Sequence, residues 1–320
     1  MPMRLSIIVP VYMEEENILV FLNRILPVLK RLTNDFEIIF ALDPSSDRSK
    51  ETIFDAHQKD PRIKCLEFSR RFGQPLGTLA GLQYSSGDAT IVMDVDLQDP
   101  PELLPELVAR WREGFDVVYA QRRSRDGQPW INRIVTRLGY ALMHLMASGL
   151  DIPENTGDFR LLSRRAVNEI LKLKESHGFL RGMTALIGFR QSAVSFDRPR
   201  RLMGKGHYNP LFGSLRIGIN GLVCFSSYPL MLSTWLGFAI TFCSLILAIA
   251  YLLHRLCGFP FPLGNAAITI LVMLLSGIQL ISVGILGEYI ARIYDEVKQR
   301  PRFIVEHELG FDTTTPTPRP

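Results

Sequence analysis

The stretch ATIVMDVDLQDPPE, residues 89–102, joins an apolar run to three closely spaced aspartates, Asp94, Asp96 and Asp99. The apolar residues predict a buried β-strand over residues 89–96, and a helical pattern follows the two prolines. Carboxylates that share one space repel one another unless a proton or a cation lies between them. The end of this strand is therefore either an ordinary polar loop or a metal site.

The stretch lies within a regular alternation of strands and helices. We predict strands over residues 4–12, 36–43, 63–68, 89–96 and 116–122. We predict helices over residues 14–32, 45–60, 74–87 and 100–114, with Ser45 and Asp47 as N-cap candidates and Gly87 as a C-cap. Such alternation predicts an α/β fold with a mostly parallel sheet covered by helices on both faces. Ligands of such sheets bind beyond the carboxyl ends of the strands, where LDPSSD (residues 42–47) and DVDLQD (residues 94–99) lie.

Two aspartates that are separated by a single residue at the end of a strand suit a metal ion. At the two-residue period of a strand, Asp94 and Asp96 point to the same side. Mg²⁺ favours one or two carboxylates together with the phosphate oxygens of a substrate. The pattern indicates a metal-bridged nucleotide diphosphate, although the same D-x-D spacing also occurs in loops that bind nothing.

Two long stretches without Asp, Glu, Lys or Arg follow the α/β region, at residues 217–254 and 256–287. Each exceeds the ~20 apolar residues that span a bilayer. We therefore predict transmembrane helices over Tyr228–Leu253 and Ala266–Gly287. The alternative is a pair of helices buried in a protein core.

Basic residues cluster on one side of the predicted pair of spans. Residues 198–216 and 292–302 carry several Arg and Lys residues, whereas the segment between the spans, residues 254–264, has only Arg255. Basic flanks indicate the cytoplasmic side, so both termini and the α/β region are expected there, at the plasma (inner) membrane. The N-terminal pattern does not predict a signal peptide, the cysteines form no C-x-x-C pair, and the net charge of +4 gives no reason to expect nucleic acid.

Five segments resemble one enzyme family. They are IIVPVYMEEENI (residues 7–18), DVDLQDPPE (94–102), GDFRLLSRRAV (157–167), RLMGKGHY (201–208) and GILGEYIARIYDEVKQRP (284–301). Together they resemble the GT-A glycosyltransferases of family 2, and within it the polyprenyl-phosphate glycosyltransferases with two C-terminal spans, which include bactoprenol glucosyltransferases and dolichol-phosphate mannose synthases. The resemblance covers nearly all of residues 4–216 and continues through the spans. It implies a Rossmann-like GT-A catalytic domain followed by interfacial and transmembrane helices.

The resemblance also implies a donor site at the carboxyl edge of the sheet. The nucleoside pocket is expected to be lined by Pro10, Tyr12, Glu14 and Asp43. The metal ion, Mg²⁺ or Mn²⁺, is expected to be held against the diphosphate by Asp94, Asp96 and Gln98, whereas Asp99 is interpreted as a helix cap. For Tyr12 and Glu14 the alternative is an acidic turn at a helix N-terminus. The family pattern is not matched at Leu42, Pro44 and Arg48, so the resemblance implies no detail of base contact there.

An acceptor molecule that consists of a phosphate attached to a lipid chain requires a basic protein surface beside an apolar one. A helix over residues 130–146 would align Arg133 and Arg137 on one stripe, opposite an apolar face. The resemblance implies that Arg122 and Arg133 hold the acceptor phosphate. The alternative for the stripe is the solvated face of a surface helix.

The segment before the first span is expected to close the site or to bind the membrane. Arg201, Lys205 and Tyr208 either close over the diphosphate and acceptor or attract anionic lipid headgroups. The chain is thus divided into a cytoplasmic glycosyltransferase domain (residues 1–208), an interfacial amphipathic segment (209–227), two spans with an outer loop at 254–264 (228–290) and a cytoplasmic tail (291–320).

The chemistry of the acceptor determines what the enzyme must supply. A phosphate monoester is largely dianionic near neutral pH, since its second pKa is ~6, so it needs little help from a general base. The catalytic candidates are Asp96, Asp158 and Arg160, with Asp158 expected to orient the sugar or a basic partner; the alternative for Asp158 is a loop or helix cap. We expect a single displacement with inversion at the anomeric carbon.

The expected reaction is transfer of glucose from UDP-glucose to undecaprenyl phosphate. The alternatives are a mannosyltransferase that uses GDP-mannose and a membrane-tethered binder of nucleotide sugars without activity. A processive polysaccharide synthase is disfavoured because the Arg110-Trp111 pair has Leu107, not Gln, three residues before the arginine. Association of the spans with a second copy of the chain stays open.

Overall fold

The computed structural model describes residues 3–123, 153, 156–173, 180–199, 228–257 and 265–311. Within these ranges one sheet has the strand order β7-β5-β6-β4-β1-β2-β3-β8. The strands are β1 (Leu5–Val11), β2 (Phe36–Leu42), β3 (Ile63–Phe68), β4 (Ala89–Val92), β5 (Val117–Arg122), β6 (Thr156–Ser163), β7 (Gln191–Phe196) and β8 (Val305–Leu309). The helices are α1 (Glu15–Leu32), α2 (Ser49–Lys59), α3 (Gln74–Tyr84), α4 (Leu104–Arg112), α5 (Arg164–Lys172), α6 (Leu180–Leu186), α7 (Tyr228–Leu256) and α8 (Asn265–Val297).

Strand β1 lies near the middle of the sheet and is buried on both faces. Its Ile7 and Val9 pack with Phe21 of α1 on one face, whereas Ile8 packs with Leu79 of α3 on the other. Successive strand residues point to opposite faces, so a continuous apolar run requires helices on both sides. Strands β1, β2, β3 and β4 pair in parallel. The prediction of a mostly parallel sheet covered on both faces is confirmed.

Two predicted boundaries on either side of strand β4 are wrong. Strand β4 ends at Val92 rather than at residue 96, and the chain then turns through Leu97, whose φ is 59°. Helix α3 ends at Tyr84, not at Gly87. The Gly87 amide instead donates to Ser6 Oγ at 2.8 Å, and a Cβ on Gly87 would lie 2.7 Å from the backbone nitrogen of Ser6. Gly87 is therefore required for close approach to β1 and not for a helix cap.

Three strands of the sheet were not predicted. Strand β6 inserts between β4 and β5 and is antiparallel to both, which makes the sheet mixed. Strand β7 pairs in parallel with β5 at one edge. Strand β8 comes from the predicted C-terminal tail and pairs antiparallel with β3 at the other edge.

Two long apolar helices follow the α/β region. Helices α7 and α8 contain the predicted spans and contact each other. Among the described residues, one helix, over Leu274–Val297, is long and apolar enough to cross a membrane, and a shorter apolar stretch lies at Leu230–Cys243. One membrane helix is thus supported by length and composition, and the second stays a prediction.

The end of the sheet opposite the acidic turn contains a buried carboxylate, Glu37 of β2. Its Oε1 accepts hydrogen bonds from Ser6 Oγ at 2.6 Å and from the Ser86 amide at 2.7 Å, and its Oε2 lies 2.9 Å from Lys64 Nζ. Burial acts to raise the pKa of Glu37, but these hydrogen bonds and Lys64 outweigh it, so the pKa is lowered. Glu37 therefore links β1, β2 and β3 as a buried anion.

We expect Glu37→Gln to destabilise the fold by about 3 kcal/mol at pH 7, or roughly 6–12 °C in Tm, because it leaves Lys64 without its anionic partner. A carboxyl whose folded-state pKa is lowered stabilises the fold above its unfolded-state pKa and loses that contribution as pH falls through the folded-state value. Thermal unfolding should thus show the largest difference between variant and parent at pH 7 and a shrinking one below about pH 4. Glu113→Gln, at an exposed pair with Arg110, is the control. A difference independent of pH would contradict this account.

Candidate active site

The turn after β4 brings three aspartates together. Asp99 Oδ2 accepts the Asp94 amide at 3.2 Å, and Asp96 Oδ1 accepts the Gln98 amide at 3.1 Å. Asp96 and Asp99 are 8% and 4% exposed, so both carboxylates are held inside the turn. The interpretation of Asp99 as a helix cap is wrong, because no side chain caps the helical turn that follows. Asp99 instead fixes the backbone of Asp94.

The acidic turn is electrostatically crowded. Burial and then the charges of Asp99, Asp96 and Asp158 raise the pKa of Asp94 well above its ordinary value. Burial likewise raises the pKa of Asp99 to about 6, although Arg198 acts in the opposite direction. Four carboxylates therefore lie close enough to affect one another's charge. Such an arrangement favours a bound cation.

Asp158 of β6 lies beside arginines. Its Oδ1 is 3.2 Å from Arg181 Nε of α6. Burial acts to raise the pKa of Asp158, but Arg181 and Arg160 outweigh it, so the net pKa is lowered. Asp158 is thus an ionised carboxylate paired with Arg181, and it is a weak proton acceptor.

Arg160 is buried within the sheet. Its guanidinium donates to Thr184 Oγ1 at 2.6 Å and to the Gly157 carbonyl at 2.8 Å, and its side chain is 3% exposed. These contacts join β6 to α6 behind Asp158. Arg160 therefore supports the site through Asp158 and α6.

Arg122 ends β5 and faces the acidic turn. Its charge lowers the pKa values of Asp99 and Asp158 against the larger, opposing effect of burial. A Cβ on Gly157 would lie 3.3 Å from Arg122 Nη2, so the glycine permits the guanidinium to lie across β6. The next residue, Arg123, instead pairs with Asp197 on the surface at 3.4 Å, with both side chains largely exposed.

The residues predicted for the nucleoside pocket lie at the ends of β1 and β2. Pro10 is in β1, and the ring of Tyr12 is covered by the Arg71 guanidinium, 3.8 Å from the ring centroid. Glu14 is the N-cap residue of α1 and accepts from Asn17 Nδ2, which matches the alternative of a helix N-terminal turn. The role of these residues in nucleoside binding stays a prediction.

Asp43 supports a neighbouring segment. Its Oδ1 and Oδ2 accept the amides of Phe72 and Gly73, each at 2.9 Å. The following residue, Gln74, donates from Nε2 to Asp94 Oδ1 at 2.8 Å. Asp43 thus fixes the segment that places Gln74 on the acidic turn.

Several predicted site residues lie outside the described residues: Arg133, Arg137, Arg201, Lys205 and Tyr208. Within the described ranges there is no group of three His, Cys, Asp or Glu side chains arranged to hold a metal ion. Asp94 and Asp96 supply two carboxylates, and Mg²⁺ usually takes one or two together with substrate phosphates and water. The residues present therefore fit a metal shared with a diphosphate.

Three residues at this site were not predicted from the sequence: Gln74, Arg181 and Arg198. Arg198, interpreted as a membrane-flanking residue, lies after β7, and its charge lowers the pKa of Asp94 against burial and the neighbouring carboxylates. In the part of the chain that the structure describes, the buried Nε of Arg198 has no hydrogen-bond partner. No spacing in the sequence joins these residues to Asp94, since the strand order brings them together.

Comparison with known proteins places the chain among glycosyltransferases. Residues 6–171 match the family described as Glycosyl transferase family 2. An uncharacterized glycosyltransferase of Synechocystis sp. is 40% identical over 98% of both chains. The bactoprenol glucosyl transferase of Shigella phage SfV is 36% identical, covering 96% of this chain and 99% of the phage protein.

A solved structure is similar at a lower level. Glucosyl-3-phosphoglycerate synthase from Mycobacterium tuberculosis, in complex with Mn²⁺, UDP and phosphoglyceric acid, has a TM-score of 0.47 and 18% identity to this chain. The similarity covers 69% of this chain and 76% of that chain. The family assignment rests on the sequence comparisons and not on this structural similarity.

Proposed function

Because the chain belongs to glycosyl transferase family 2 and is a glycosyltransferase, we propose that it transfers glucose from UDP-glucose to a polyprenyl phosphate, undecaprenyl phosphate being the first candidate. The observation that carries this proposal is the meeting of opposite charges at one edge of the sheet. Arg198 acts there to lower the pKa values of Asp94 and Asp99, and Arg122 acts to lower those of Asp99 and Asp158, in each case against burial. The names of the bactoprenol glucosyl transferases among the relatives support the choice of sugar and acceptor.

The acidic turn is proposed as the donor half of the site. Asp94 and Asp96 would hold Mg²⁺ or Mn²⁺ through their carboxylates, with the side chain of Gln98 as a further oxygen ligand. When bound, the metal would neutralise negative charge on the nucleoside diphosphate that leaves. Gln74 donates a hydrogen bond to the Asp94 carboxylate, and the Asp99 carboxylate accepts one from the Asp94 amide. The two residues thereby hold the side chain and the backbone of Asp94 in position.

The arginines are proposed as the acceptor half. A donor diphosphate and an acceptor phosphate repel each other, and Arg122 would offset this repulsion together with Arg133, Arg137, Arg201 and Lys205. The neutral Tyr208 would close over the site beside Arg201 and Lys205. Asp158 stays ionised and orients Arg181, so it does not need to take a proton from an acceptor that is already a dianion. The expected chemistry is one in-line displacement with inversion.

The membrane arrangement is also a proposal. Strand β8 belongs to the same sheet as β3, so residues 305–309 lie on the same side of the membrane as the catalytic domain. A chain that leaves and returns to one side crosses the membrane an even number of times. This supports two spans within residues 228–290. The interfacial segment at residues 209–227 and the cytoplasmic side of the catalytic domain and tail are proposed from the sequence, the latter from its basic flanks. A tag placed after Pro320 should be accessible to protease only from the side of the catalytic domain.

A donor panel tests the proposed reaction. The full-length protein is incubated with undecaprenyl phosphate and either UDP-glucose or GDP-mannose, and the lipid product is analysed for its sugar and anomeric configuration. We expect preference for UDP-glucose and a β-linked product from the α-linked donor. A strong preference for GDP-mannose would contradict the choice of glucose, and a product that retained the α configuration would contradict the single displacement.

A further inference from the structure

The chain returns from the second long helix to the sheet as a strap, residues 302–311. Helix α8 ends at Val297, and Gln299 reverses the chain with a φ of 47°. The strap then pairs antiparallel with β3, Val305 lying opposite Phe68 and Leu309 opposite Cys65. The strap joins α8 directly to the catalytic sheet.

The beginning of the strap contacts the residues that follow β3. The Ile304 carbonyl accepts the Ser69 amide at 3.1 Å, one residue beyond the strand. The Phe303 ring packs against Phe68, with 6.1 Å between ring centroids, and Phe68 packs in turn against Phe72 at 5.8 Å. The strap therefore holds residues 69–72 by one backbone hydrogen bond and a row of three rings.

The same segment ends on the acidic turn. The Asp43 carboxylate accepts hydrogen bonds from the amides of Phe72 and Gly73, and the side chain of the next residue, Gln74, donates to the Asp94 carboxylate. Residues 69–74 are thus fixed at one end by the strap and at the other by an aspartate of the site. These contacts form a short, continuous path from Phe303 to Asp94.

We propose that the C-terminal strap is a positioning element of the active site, which acts through Phe303 and residues 69–74 on the carboxylate of Asp94. The relevance to catalysis rests on the proposed role of Asp94 in donor binding. The contrasting explanation is a strap that only covers an exposed sheet edge. Edge protection alone would not couple the Phe303 end of the strap selectively to residues 69–74.

The strap offers a matched control at its other end. Phe311 packs against Tyr84 with 5.3 Å between ring centroids, and Tyr84 also donates to Glu308. Phe311→Ala therefore removes an aromatic contact of the strap, as Phe303→Ala does, without touching residues 69–74. It also removes the ring whose centroid lies 4.9 Å from Lys64 Nζ. Phe303→Leu keeps an apolar side chain against Phe68 and serves as the conservative variant.

The experiment measures hydrogen–deuterium exchange of residues 69–74 and binding of UDP with Mn²⁺ in the full-length variants, with Tm measured in parallel. We expect Phe303→Ala to raise the exchange rate of these residues at least fivefold and to weaken binding about tenfold. We expect Phe311→Ala to leave both within twofold at a comparable loss of Tm, and Phe303→Leu to restore most of the binding.

Equal effects of the two alanine variants on exchange, or no effect of Phe303→Ala, would overturn the proposal. A further outcome is that Phe303→Ala alone raises the exchange rate of residues 69–74, while even the parent protein binds no UDP. That outcome would support the coupling and contradict the proposed donor site instead. The two failures are therefore distinguishable.

Discussion

Replacing Asp96 with alanine is expected to reduce sugar transfer to the lipid at least a thousandfold while leaving membrane insertion unchanged. Asp96 is held inside the acidic turn and is proposed to bind the metal that stabilises the leaving diphosphate. A factor of a thousand corresponds to about 4 kcal/mol of transition-state stabilisation, within the range of a lost metal ligand. The measurement is the initial rate of label transfer to undecaprenyl phosphate by purified variant and parent.

The matched control for Asp96→Ala is Asp88→Ala. Asp88 lies just before β4, at the end away from the acidic turn, and its Oδ2 accepts the Arg4 amide at 2.9 Å. The control should retain activity within a few-fold. Comparable activity of Asp96→Ala and Asp88→Ala would show that the acidic turn does not carry the reaction.

Replacing Arg122 with glutamine is expected to lower kcat/KM for the lipid phosphate about a hundredfold. Arg122 faces the acidic turn and is proposed to offset the repulsion between the two phosphates. Hydrogen bonds to charged groups contribute about 1.5–3 kcal/mol, and a hundredfold change is about 2.7 kcal/mol. Steady-state rates at varied undecaprenyl phosphate and fixed donor give the value.

Arg123→Gln provides the control for Arg122→Gln at the adjacent position. Arg123 pairs with Asp197 on the surface, and exposed pairs of this kind contribute little. Its kcat/KM should stay within twofold of the parent. If both variants lost activity equally, a general effect of positive charge at the surface would explain the loss better than an acceptor site at Arg122.

The fold of the catalytic domain could be predicted where burial dominates. Apart from Ser6 and Glu37, strands β1 and β2 consist of apolar residues, whereas the apolar residues of α1 recur at helical spacing. Strand β8 has the sequence VEHEL, in which alternate charged residues face solvent at a sheet edge, so it looks like part of a polar tail. Its pairing depends on β3, which lies far away in sequence.

The candidate site shows which features of a fold leave a pattern in the sequence and which do not. The D-x-D pattern singles out Asp94 and Asp96 as candidates, and their metal binding stays a prediction. The strand predicted to reach residue 96 ends at Val92, and the chain then turns through Leu97. Arg181 and Arg198 reach the site only through the strand order, in which β6 lies between β4 and β5 with β7 beyond. Non-local pairing of this kind leaves no local pattern in the sequence.

The most direct test of the central claim is the appearance of labelled sugar in a lipid extract. Full-length protein is incubated with UDP-[¹⁴C]glucose and undecaprenyl phosphate, with Mg²⁺ or Mn²⁺ or with a chelator, and the organic phase is counted. We expect label in the organic phase that requires the divalent cation and disappears in Asp96→Ala. Donor binding without labelled lipid from any sugar nucleotide would contradict it and favour a binder over a transferase.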